Sequence, residues 1–107
     1  MPEPFDIIAV IEPKPGKANR VEELLKTTAK AVQANEPGTL RYQVNRETKG
    51  DAPTFVMLET YKDQASLKAH GGSKDFKELG RAFKEDLLAA PMKVLFTKAV
   101  GGYASKL

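Results

Sequence analysis

Two short segments of this chain are apolar on both sides of an extended strand, and the sequence holds too few helices to cover both sides. Phe5 to Glu12, FDIIAVIE, puts Phe5, Ile7, Ala9 and Ile11 on one side and Ile8 and Val10 on the other. Thr54 to about Lys62 repeats the pattern, with Phe55, Met57, Glu59 and Tyr61 opposite Val56, Leu58 and Thr60. Sheets of this kind must be covered twice.

The rest of the chain supplies only part of that cover. After the turn Pro13 to Lys17, the residues Val21, Leu24, Leu25, Thr28 and Val32 fall on one helical face, with Glu22 and Glu23 near the positive end of the helix dipole. Glu36-Pro37-Gly38 stops that helix. A strand from Thr39 to Thr48 alternates Leu40, Tyr42 and Val44 against Arg41, Gln43 and Asn45, and Lys49 to Pro53 turns it into the Thr54 strand. Asp63 caps a short helix ending at Gly71-Gly72, and Ser73 caps a longer one carrying Phe76, Leu79, Phe83 and Leu87. Pro91 ends it before a last strand, Met92 to Val100.

The order is βαββαβ with the second helical region broken in two, an α+β ferredoxin-like arrangement with a four-stranded antiparallel sheet. A length of 107 residues supports one domain, read as 1–104, with the last three residues outside it. Two helical regions cover one face of such a sheet. Another copy of the chain is the simplest cover for the other, so a homodimer is expected.

Composition narrows the function. With 41% hydrophobic and 29% charged residues the chain has a globular composition, and no apolar stretch approaches the ~20 residues of a membrane span. The net charge of +3 comes from lysines interleaved with acids, not from a basic stripe, which argues against nucleic acid. No cysteine is present, and the lone histidine, His70, argues against a zinc site. No phosphate loop, nucleophile elbow, flavin or nucleotide motif occurs. The final Ser105-Lys106-Leu107 matches the C-terminal address read by the peroxisomal import receptor, so a peroxisomal location is expected in a eukaryote and a cytoplasmic one otherwise.

The chemistry-bearing residues are few. Glu59 is a carboxylate on an apolar strand face, which raises its pKa unless a Lys or Arg pairs with it. Tyr42 and Tyr61 are amphipathic core residues or donors to an oxygen on which charge develops. His70 ends a short helix beside two glycines, and histidine suits general base catalysis near neutrality. Arg81 could hold an anionic group, with Phe83 close by in sequence.

Glu36, Pro37, Gly38 and Tyr42, then Phe55, Glu59 and Tyr61, then Ala69-His70 stand in an order and spacing that resembles the antibiotic-biosynthesis monooxygenase family. The resemblance implies a dimeric α/β barrel of two face-to-face sheets with a hydrophobic pocket in each subunit. If Val56 and Leu58 face the helices, the barrel interior is lined by Leu40, Tyr42, Val44, Phe55, Met57, Glu59 and Tyr61. Family monooxygenases carry an aromatic residue, often tryptophan, at the position of Tyr61. The implied reaction needs no cofactor: a small lipophilic phenol, quinol, lipid-derived or similarly acidic molecule is deprotonated and reacts with dioxygen. His70 is then the base, Tyr42 and Tyr61 the donors, and Glu59 an orienter or alternative base. A non-catalytic ligand-binding or stress-responsive dimeric barrel shares this fold. Related barrels bind or degrade haem with asparagine and histidine where this chain has Ala9 and Gly80, which sets haem behind both.

Overall fold

A computed structural model describes residues 3–107. Its elements run β1 (Phe5–Ile11), α1 (Ala18–Asn35), β2 (Thr39–Arg46), β3 (Phe55–Tyr61), α2 (Gln64–Gly71), α3 (Lys74–Phe83) and β4 (Lys93–Thr97). The strands form one sheet in the order β2-β3-β1-β4, every neighbouring pair antiparallel, which is the ferredoxin-like topology.

The buried side of the sheet is the opposite of the one expected. Phe55, Met57, Glu59 and Tyr61 are buried beneath the helices within one subunit, with Ile7, Ala9 and Ile11 beside them on β1. Ala18, Val21 and Leu25 of α1, Leu79 of α3 and Leu87 close the same core. Alternation alone is blind to this choice, because a period of two gives β1 and β3 two equally apolar faces. Helix α1 decides it by burying Val21 and Leu25 completely, each such side chain contributing about 1.5–3 kcal/mol. The open face therefore carries Ile8, Val10, Val56 and Leu58, all half-buried, with Leu95 39% exposed.

Strand β2 departs from simple alternation. Its pairing with β3 slips between Thr39 and Arg41, so that Thr39 lies opposite Tyr61, Arg41 opposite Thr60 and Tyr42 opposite Glu59. Leu40 is the extra residue of this bulge, is 55% exposed and does not line the cavity described below.

Two helix caps hold and one helix end does not. The Asp63 carboxylate accepts from the Ser66 amide at 2.8 Å, and the Ser73 hydroxyl accepts from the Phe76 amide at 3.1 Å. Helix α3 ends at Phe83, not near Leu87, and Asp86 turns the chain with φ of 63°. Leu87 is still buried, held because its carbonyl accepts from the Lys14 amide at 2.8 Å. The last strand is shorter than expected because only Lys93 to Thr97 find partners on β1. Ser105, Lys106 and Leu107 lie exposed beyond it. Among the described residues no helix is long and apolar enough to cross a membrane.

Candidate functional site

A cavity of about 120 Å³ lies between the helix-covered side of the sheet and α2 and α3. It is inside one subunit, not between two sheets. Ile7, Ala9, Met57, Leu67 and Leu79 give it apolar walls, while Tyr42, Glu59, Tyr61 and His70 supply its polar groups. No lysine or arginine lines it. Val94 and Phe96 of the edge strand β4 complete the wall and are 43% and 65% exposed, so the cavity approaches solvent there.

His70 reaches this cavity from the last turn of α2 and is 3% exposed. Its Nδ1 lies 2.8 Å from Glu36 Oε1, and the same oxygen accepts from the Thr39 hydroxyl at 2.8 Å. With Glu36 accepting, Nδ1 carries the proton and Nε2 presents a lone pair. Nε2 is buried without a hydrogen-bond partner among the described residues. An unpaired polar atom of this kind costs about 1–3 kcal/mol, and a ligand group would satisfy it. The imidazole is boxed in by rings, with centroids 5.2 Å from Tyr42, 5.5 Å from Tyr61 and 4.8 Å from Phe76.

Among the described residues Glu59 has no Lys or Arg partner. Its Oε1 accepts from the Tyr61 hydroxyl at 2.5 Å. Burial raises the Glu59 pKa, against the opposing effects of that hydrogen bond and of the His70 charge. Burial also raises the pKa of Tyr42 and Tyr61, assisted by the negative charge of Glu59, so both hydroxyls stay protonated at any ordinary pH. The Tyr61 proton is thus committed to Glu59, and Tyr61 positions that carboxyl instead of donating to a ligand.

A carboxyl whose pKa is higher in the folded state binds more protons folded than unfolded between its ordinary value near 4.5 and the raised one. Stability therefore falls as pH rises through that window. Glu59→Gln mimics the protonated form and keeps an acceptor for Tyr61, so it should be at least as stable as the parent at neutral pH and should flatten the fall. Denaturation midpoints from pH 4 to 8 would show it, and a steeper loss in the variant would contradict it.

Several expected site residues lie elsewhere. Phe55 belongs to the core, with the Arg46 guanidinium 5.7 Å from its ring centroid. Val44 and Phe83 pack against that core outside the cavity, and Arg81 is exposed on α3. The sequence reading missed Glu36 as a functional group. Its signal was present in Glu36-Pro37-Gly38, which stops α1 and carries part of the family resemblance without suggesting a chemical role for the carboxylate.

Gly38 has a spatial task here. A β-carbon at Gly38 would overlap Oγ and Cβ of Ser66, and Ser66 cannot turn away freely because its hydroxyl also bonds Asp63 at 2.7 Å. The close approach seats α2, and so His70, against Glu36. Gly38→Ala should cost about 1–3 kcal/mol. The penalty should shrink in a Ser66→Gly background, as a double-mutant cycle on thermal midpoints would reveal; an equal penalty in both backgrounds would contradict the contact.

Among the described residues, no three His, Cys, Asp or Glu side chains converge to hold a metal ion. Fold and site together define an α+β protein with a small, mostly apolar cavity beside a carboxylate-supported histidine. A model of the antibiotic biosynthesis monooxygenase family matches residues 4–82. The chain is 38% identical over 92 residues to the candidate monooxygenase YcnE of Bacillus subtilis (strain 168), a match spanning 84% of this chain and 92% of that protein. The crystal structure of a candidate antibiotic biosynthesis monooxygenase from Caulobacter crescentus CB15 superposes with a TM-score of 0.82 at 31% identity, covering 92% of each chain. PA3566 from Pseudomonas aeruginosa does so with a TM-score of 0.81 at 28% identity, covering 94% of this chain and 98% of its own. The chain belongs to the antibiotic biosynthesis monooxygenase family.

Proposed function

We propose that the protein is a cofactor-independent monooxygenase acting on a small lipophilic molecule with an acidic C–H or O–H bond. The observation that carries this reading is the buried, unpartnered Nε2 of His70 on the cavity wall, with Glu36 fixing the opposite nitrogen.

Nε2 removes the substrate proton, and Glu36 stabilises the imidazolium that results. Tyr42, kept protonated by burial, hydrogen-bonds the developing oxyanion. The apolar walls exclude water from the anion while it meets dioxygen. For a methylene substrate the balance closes without an added reductant: the carbon loses two hydrogens and gains one oxygen atom as a carbonyl, and the second oxygen leaves as water. A cavity of about 120 Å³ suits a single ring better than a polycyclic phenol, since voids near 150 Å³ accommodate benzene.

Supply of one-ring hydroquinones and cyclic 1,3-diketones under ¹⁸O₂ tests the reading. One labelled oxygen in the product, with activity surviving chelator treatment, is expected. Activity that vanishes on chelation and returns with a metal would overturn it. Saturable binding of the panel without any oxygen consumption would point to a ligand-binding barrel instead.

We also infer a homodimer through the open face of the sheet. Ile8, Val10, Val56, Leu58 and Leu95 form an apolar strip there that no helix of the same subunit covers, flanked by Arg41, Gln43 and Lys93.

A further inference from the structure

The cavity holds two proton-handling groups, whereas deprotonation ahead of oxygenation uses one. His70 Nε2 stands without a partner, with Nδ1 held by Glu36 at 2.8 Å. Glu59 lines the same cavity from β3, and Tyr61 fixes it through one oxygen at 2.5 Å, while no protein group donates to the other. One is a base with an open lone pair; the other is a carboxyl held still with an oxygen to spare.

We propose that the cavity also catalyses a dioxygen-independent proton shift, interconverting a small neutral ring ketone and its enol, with His70 Nε2 taking the α-proton and Glu59 protonating the carbonyl oxygen. In this step the Cα–H bond breaks and an N–H bond forms at Nε2. The freed electron pair becomes the C=C π bond, the carbonyl π pair moves to oxygen, and that oxygen takes the proton as the O–H bond of Glu59 breaks. No electron leaves the system. The imidazolium and the new carboxylate are reset by proton exchange with each other or with water.

Three features favour this chemistry. Glu59 and His70 line the same cavity, and burial raises the Glu59 pKa, the direction that favours a proton donor beside the base. The absence of any lysine or arginine from the lining selects an uncharged ligand, and the cavity volume of about 120 Å³ selects one ring. The acid and base lie on different elements, β3 and α2, as a ligand held between them requires.

The inference rests on His70 being the base in the proposed oxygenation, and the test separates the two. The full-length protein is incubated in D₂O under argon with cyclohexanone, cyclopentanone and cyclohexane-1,3-dione, and α-deuteration is followed by NMR. Oxygen uptake is measured on the same panel in air. Exchange should exceed the buffer rate by about 10²-fold or more with at least one probe, at the same rate with and without dioxygen. It should fall to background in His70→Asn and drop at least about tenfold in both Glu59→Gln and Glu36→Gln, with folding checked by circular dichroism. No acceleration under argon with any probe, alongside oxygen uptake in air, would overturn the inference and leave the oxygenase reading intact. Accelerated exchange without oxygen uptake would support the inference against that reading. Exchange unchanged in Glu59→Gln would remove the acid and with it the proposal.

Discussion

His70→Asn is expected to lower turnover by about 10²- to 10⁴-fold while leaving a folded protein. The asparagine amide can still donate to Glu36 in place of Nδ1, so the carboxylate is not left buried and unpaired, which would cost far more than the lost ring. No described residue bonds to Nε2, so its removal breaks none of the described hydrogen bonds. What is lost is contact with Tyr42, Tyr61 and Phe76, where each ring pair is worth about 0.5–1.5 kcal/mol. A domain with about 5–15 kcal/mol in hand tolerates that loss. Turnover should fall without a matching rise in KM, since the missing group acts on the proton and not on ligand fit. Near-parent turnover would move the base role to Glu59 or to the substrate itself.

Charges placed on adjacent residues of β3 should give opposite outcomes. Met57→Asp puts a carboxylate on the helix side of the sheet, where Met57 is 1% exposed, and an unpaired buried charge costs several kcal/mol. That is most of the stability of a domain this size, so the variant should fail to fold at room temperature. Leu58→Asp, one residue on, points to the open face and should leave the subunit folded but split the proposed dimer. Circular dichroism reads the first outcome and sedimentation the second. A folded Met57→Asp protein would reverse the assignment of faces, and a parent that sediments as a monomer would remove the dimer.

The fold was legible because its punctuation is chemically explicit. Asp63 and Ser73 cap the helices they were expected to cap, and the spacing of Val21, Leu25 and Val32 fixes the buried stripe of α1. The cavity residues His70, Tyr42, Tyr61, Glu59 and Met57 were also found from sequence. Which side of the sheet they occupy was not, since β1 and β3 satisfy the alternation equally well from either side. Leu40 was misplaced because a bulge has no composition signal, and Arg81 because a charge near an aromatic in sequence need not be near it in space. The role of Glu36 was not legible because its pairing with His70 joins residues 34 positions apart.

The slip at Leu40 makes the number of residues in β2 as consequential as their kind. Thr39, which bonds Glu36, and Tyr42, which lines the cavity, both occupy the covered side only because Leu40 is taken up by the bulge and left out of the pairing. Were Leu40 paired like its neighbours, uninterrupted alternation would turn one of the two away whenever the other was in place. Drawing Leu40 into regular pairing would therefore be a frameshift in three dimensions: either the support of the histidine or the tyrosine wall could remain in phase with the sheet, but not both.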